Sequence, residues 1–187
     1  MNHFSPDHFV ATVKNLIDSD RRPEIRLNAN GGNSILVVCP PSQEREFIDS
    51  FKSQLDFENF EIINLDQILL DFVESEKEEL PMLFDLLRGS VHQIFKVPAG
   101  EDQEDLFKKI IAKIQSATSK NKIPVLIRVG ALYGTGIDNI HIMEHPTVMH
   151  SSLPLIVLYP ATMEGENLMF LSKRPASRYR CMIVKAF

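Results

Sequence analysis

No loop that follows a strongly apolar stretch of this chain has the glycines and lysine that would cradle a phosphate, and that absence removes the commonest nucleotide-binding chemistry. A phosphate cradle needs backbone N–H groups that approach the ligand closely, in patterns such as G-x-x-x-x-G-K-[ST] or G-x-G-x-x-G. Cysteine is scarce: Cys39 and Cys181 are the two among 187 residues, and their spacing fits neither a zinc ribbon nor a disulfide scaffold. They read as reduced core thiols. No apolar run reaches the roughly 18 residues of a membrane helix, and the opening Met1-Asn2-His3-Phe4-Ser5-Pro6-Asp7 has no basic stretch followed by an apolar one. A soluble, cytoplasmic protein is expected, with no membrane contact. Internal repeats, linkers and low-complexity tracts are also lacking.

Charge of one sign is short as well. Residues 121–187 hold seven Lys/Arg against four Asp/Glu, or +3, which within the net −5 leaves −8 for residues 1–120. An acidic surface repels phosphates, and no aromatics interleave with the cations as a single-strand groove requires. Direct binding of nucleic acid is not expected.

Three short apolar runs are present, at residues 35–39, 125–129 and 155–159, each ending in a Pro or Gly loop. Near-continuous apolar strands suit a sheet covered on both faces. Further strands are expected at 60–64 and at 180–184, the latter at or near an edge. Helices are expected from Ser5-Pro6, with Phe9, Val10, Val13, Leu16 and Ile17 on one face, and from Ser42 to Leu55. Others are expected from Leu65-Asp66 onward, across 82–95, across 103–116, and as a short one over 137–145 ended by Pro146. The expectation is a three-layer α/β fold, a mostly parallel sheet flanked by helices. It is Rossmann-like or P-loop-like without a phosphate-binding loop, in a single domain over 1–187 with a helical elaboration at about 66–118.

In such a sheet ligands bind beyond the carboxyl ends of the strands. The first strand's outgoing loop is Cys39-Pro40-Pro41-Ser42-Gln43, where two prolines remove two donors and no glycine permits close approach. Cys39 reads as a buried small hydrophobe rather than a nucleophile. Gly130-Ala131-Leu132-Tyr133-Gly134-Thr135-Gly136 matches no phosphate fingerprint and reads as a turn. Arg128, set in an apolar strand, must find a partner or reach solvent, and the helices supply acids for an ion pair.

His141-Ile142-Met143-Glu144-His145 is an H-x-x-E-H string. Two histidines at i and i+4 of one helix could bind zinc with Glu144 as general base, which would make the chain a metal-dependent hydrolase. A third ligand would have to come from the 42 residues that follow, with Glu164, Glu166 or His150 available. The alternative is polar residues at a helix end. Lys173-Arg174-Pro175-Ala176-Ser177-Arg178-Tyr179-Arg180 places four cations around one tyrosine; Arg and Tyr are enriched at interface anchors, so Arg174, Arg178, Tyr179 and Arg180 are candidate partner contacts.

Four of these strings, in order, carry a resemblance. Ile35-Leu36-Val37-Val38-Cys39-Pro40-Pro41-Ser42-Gln43, Ile127-Arg128-Val129-Gly130-Ala131-Leu132-Tyr133, Leu155-Ile156-Val157-Leu158-Tyr159-Pro160 and Arg178-Tyr179-Arg180-Cys181-Met182-Ile183 resemble the BrxB family of the BREX bacteriophage-defence systems. The resemblance covers roughly residues 5 to 185. Gly134, where the family would have proline, and the divergent segment 137–152 depart from it. What it implies is an accessory component without established catalytic activity, working beside a methyltransferase, a large ATPase and a PglZ-type protein of the alkaline phosphatase superfamily. The expected function is therefore a non-enzymatic, cofactor-free interaction subunit of a defence complex. Its partner surface would comprise Arg174, Arg178, Tyr179 and Arg180, with the Pro40-Pro41 loop as a second contact. The zinc hydrolase is the rival reading.

Overall fold

Ser34-Ile35-Leu36-Val37-Val38-Cys39 is rich in β-branched side chains and has no polar break after its first residue, so it can be buried on both faces. It forms β1 (Ser34–Cys39), every residue of which is buried. Side chains alternate along a strand, and Ile35, Val37 and Cys39 enter one core cluster while Leu36 and Val38 enter a second. The computed structural model describes residues 5–18, 22–98, 100–176 and 179–185.

Four further strands extend the parallel sheet: β2 (Phe60–Asn64), β3 (Ile123–Ile127), β4 (Leu155–Glu164) and, after a hairpin, β7 (Met182–Lys185). Their order is β2-β3-β4-β1-β7, which puts the last strand at an edge beside the first. On one face lie α1 (Pro6–Asp18), α2 (Arg22–Asn28) and α3 (Glu44–Gln54), burying Phe9, Val13, Ile25, Phe47 and Phe51. The other face carries α4 (Leu65–Ser75), α5 (Leu80–Leu86), α6 (His92–Phe95), α7 (Leu106–Ser119), α8 (Asn139–Met143) and α9 (Pro146–Met149). The fold is a three-layer α/β sandwich, each fully buried aliphatic or aromatic side chain contributing about 1.5–3 kcal/mol of transfer free energy.

Local chemistry sets the element ends. Asn64 caps α4 by accepting from the Asp66 N–H at 3.0 Å. Asp105 caps α7, one oxygen accepting from Lys108 N–H and the other from Val97 N–H. The helix expected across 103–116 therefore starts at Leu106 and runs to Ser119. Ser42 lies in a 3-10 turn (Pro41–Gln43) rather than capping α3, which starts at Glu44. The helix expected over 82–95 is divided, because the chain leaves α5 through Leu87-Arg88-Gly89-Ser90 before α6. Pro23 stands second in α2, where a missing N–H costs nothing.

One part of the architecture was not expected. β4 runs beyond the parallel sheet and pairs antiparallel with β5 (Asn167–Phe170), which pairs with β6 (Arg174–Pro175). The Glu164-to-Asn167 turn has Gly165 at φ +61°, and the next turn has Leu171 and Ser172 at φ 52° and 55°.

At the opposite, amino-terminal end of the sheet, the Asn33 side-chain amide donates to the carbonyls of Val148, Ser151 and Leu153, each at 2.9 Å. Beside it Gly32 meets the backbone of Arg180: a Cβ added there would lie 1.8 Å from the Arg180 carbonyl oxygen. Gly32→Ala should therefore force the strand leading into β7 away from β1. A loss of about 2 kcal/mol or more is expected from urea unfolding, and a midpoint equal to that of the parent would refute this packing.

Candidate functional site

The carboxyl edge of the sheet is where the fold would hold a ligand, and three elements meet there. β1 ends at Cys39 and passes through Pro40 into the 3-10 turn and α3, whose first residue is Glu44. β2 delivers the chain to α4 on the other face, with Asp66 in its first turn. β3 is followed by Arg128 in the left-handed conformation (φ 61°, ψ 36°), and a second 3-10 turn (Val129–Leu132) begins after it. That conformation is unusual for arginine and turns its side chain back over the strand ends.

The Arg128 guanidinium donates to Glu44 Oε2 at 2.8 Å, and its Nε lies 3.7 Å from Asp66 Oδ2. One cation thus joins the first turns of α3 and α4 from opposite layers. The ion pair anticipated for Arg128 is present, and its acids are Glu44 and Asp66. Burial raises the Glu44 carboxyl above its ordinary range, and Arg128 works against that rise. Glu44 Oε1 is buried with no hydrogen-bond partner, so the carboxylate depends on Arg128 for much of its compensation. Cys39 behind them is fully buried; desolvation, with a smaller push from Glu44, holds its thiol pKa far above the usual value. A thiol in that state is a poor nucleophile.

The hairpin closes this edge from above. Leu171 presses on the turn after β3: a Cβ on Gly130 would be 3.4 Å from Leu171 Cδ2. Arg174 donates to Asp138, just before α8, and lies over the Tyr133 ring at 5.9 Å. Tyr159 stacks on Phe170 at a centroid distance of 4.8 Å, and its hydroxyl meets that of Tyr179 at 2.9 Å.

The residues expected to form one cationic partner surface are therefore distributed differently. Arg174 and Tyr179 make internal contacts that anchor the hairpin, while Arg180 sits at the amino end of the sheet with its backbone against Gly32. Arg178 lies outside the described residues. Pro40 and Pro41 are half-buried at the carboxyl edge beside Glu44.

The H-x-x-E-H string does not lie on one helix. α8 stops at Met143, Glu144 follows it, and Pro146 starts α9, so His145 becomes a cap rather than the second member of an i, i+4 pair. His141 Nδ1 accepts from the Asp138 N–H at 3.0 Å, and His145 Nδ1 accepts from the Thr147 N–H at 3.2 Å. An Nδ1 that accepts leaves the proton of a neutral ring on Nε2, which then has no lone pair for a metal. Among the described residues no group of three or more His, Cys, Asp or Glu side chains is arranged to hold a metal ion. Both histidines accept backbone N–H groups at helix starts, and the signal that could have shown this is Asp138 and Pro146, each at a helix start.

One further concave surface is a groove of about 480 Å³ between α4 and α7, bordered by Ile68, Asp71, Lys109 and Lys113. No helix among the described residues is long and apolar enough to cross a membrane. No family model, curated protein or solved structure matches the chain.

Two outcomes follow from these contacts. Arg128→Met leaves Glu44 buried without its counter-ion and should cost about 2 kcal/mol in urea unfolding, whereas adding Glu44→Gln should restore roughly half of it. Double and single variants of equal stability would refute the pairing. His141 and His145 are both shifted below 6.5, mainly by burial, with Lys96 adding to the shift at His141 and Asp138 opposing it. The unfolded chain then takes up protons first as pH falls, so their contribution is intact above about 6.5 and lost below it. Melting temperature should drop between about pH 7 and pH 5, and His141→Asn with His145→Asn should flatten that drop, since asparagine caps without titrating.

Proposed function

We propose that this chain is a non-enzymatic interaction subunit of a BREX-like bacterial phage-defence complex, acting in the cytoplasm through contacts with a PglZ-type protein. The observation that carries the reading is Glu44. In an α/β sheet the helix after the first strand offers its positive end to an anionic ligand. Here that end is filled by the protein's own carboxylate, neutralised by Arg128 and preceded by Pro40 and Pro41. A phosphate would meet a carboxylate and a proline-interrupted backbone.

The hairpin adds a second support, since Leu171, Arg174 and Tyr179 spend their contacts on holding the edge shut. A skeleton whose customary ligand position is occupied from within suits a part that presents surfaces to other proteins. The resemblance of four strings, in order, to the BrxB family supports the choice of complex and of a PglZ-type partner. Among the described residues, the exposed Arg180 side chain and the Pro40-Pro41 turn are the expected contacts left free to serve it.

Co-purification of tagged protein from a host carrying the whole defence cassette tests this. Recovery of a PglZ-type protein in stable ratio with the bait is expected; recovery of the bait alone would overturn the proposal. On the same reading, ATP or GTP at millimolar concentration should leave the melting temperature unchanged, because ligand linkage requires binding to the folded state.

A further inference from the structure

α5 is apolar on nearly every side. Leu80, Leu83 and Leu87 pack on the core, yet Met82, Phe84 and Leu86 are 64, 43 and 75% exposed. Leu70 on the preceding helix is 62% exposed, with Val73 one turn further on. A helix that is hydrophobic all round is normally enclosed, and apolar surface of this kind rimmed by charge marks a site of protein contact.

Carboxylates dominate the sequence around this helix. Seven carboxylates fall between residues 65 and 88 against two cations, Lys77 and Arg88. Both cations are already paired, Lys77 with Glu74 at 2.5 Å and Arg88 with Asp85 at 2.8 Å. Among the described residues no Lys or Arg pairs with Glu76, Glu78 or Glu79.

We infer that this face binds a cationic amphipathic helix of a protein partner. Its apolar stripe lies on Met82 and Leu86, which share one side of α5, and its Lys or Arg side chains stand opposite Glu76, Glu78 and Glu79. The inference rests on the interaction-subunit reading and adds to it the surface and the chemistry of what docks there. Charge complementarity selects the occupant: a second copy would bring acidic rim against acidic rim, and anionic lipid or nucleic acid would be repelled. A flexible methionine beside large apolar groups suits a helix-accepting surface.

The test uses the full chain and a fluorescein-labelled Lys/Leu peptide of amphipathic helical pattern, read by anisotropy at increasing salt. Binding in the micromolar range that weakens with salt is expected. Met82→Ser with Leu86→Ser, and separately Glu78→Lys with Glu79→Lys, should each raise Kd about tenfold or more. These side chains are exposed, and a melting temperature within about 2 °C of the parent verifies that each variant folds. A Glu/Leu peptide of the same pattern should not bind.

No binding of the Lys/Leu peptide, equal binding by both variants, or equal binding of the Glu/Leu peptide would overturn the inference. So would self-association by sedimentation that is lost with Leu86→Ser, or preferential binding to phosphatidylglycerol vesicles. The cassette co-purification separates the two proposals. A PglZ-type protein retained equally by parent and both variants removes this surface and leaves the interaction-subunit reading standing. Peptide binding as expected, with no defence protein recovered by the parent, removes that reading and leaves the surface.

Discussion

Arg128 is the point through which the two helical layers are tied at the carboxyl edge. The left-handed backbone at this residue carries the guanidinium over the strand ends, where it meets Glu44 from one layer and Asp66 from the other. A buried or half-buried carboxylate without a counter-ion is costly, so the position of α3 relative to β3 is constrained by this pair as much as by apolar packing. The Pro-Pro turn is part of the same arrangement, since it sets where the first turn of α3 begins and hence where Glu44 points.

The hairpin depends on that edge. Leu171 packs over Gly130 in the turn after β3, and two consecutive non-glycine residues of its loop, Leu171 and Ser172, are in the left-handed region. Such conformations persist only where the surroundings fix them. Here the surroundings are the Arg174 contact with Asp138 and Tyr133, and the Tyr159–Tyr179 hydroxyl pair. The edge at which such folds hold ligands carries a structural seam in this chain.

How much of this was legible before the structure follows from where each signal is stored. β1, β3 and β4 are near-continuous apolar runs between turn residues, so composition alone marks them, and the α1 and α7 stripes recur at helical spacing. The need of Arg128 for an acid was legible because a charge in an apolar run must be compensated, but the choice of Glu44 depends on a long crossover that no local pattern encodes. β5 is Asn-Leu-Met-Phe, without alternation, and is a strand because β4 overruns the sheet and offers it an edge. The i, i+4 spacing of the histidine string presumes one continuous helix, whereas Pro146 starts a new one, which agrees with the reading of polar residues at a helix end. The apolar residues of 82–95 were visible as helix; that Met82, Phe84 and Leu86 are exposed depends on which stripe the core accepts.

The strand order has a further consequence for how the chain is made. Both neighbours of β1, β4 and β7, come from residue 155 onward. During synthesis β1, an apolar strand with two open edges, waits for most of the chain to emerge before either edge can pair. High contact order of this kind slows folding and leaves a sticky segment on display. α1, α2 and α3, made just before and just after β1, cover one of its faces and can shelter it in that interval. Early packing of this first layer would shield that face of the strand until its edges pair.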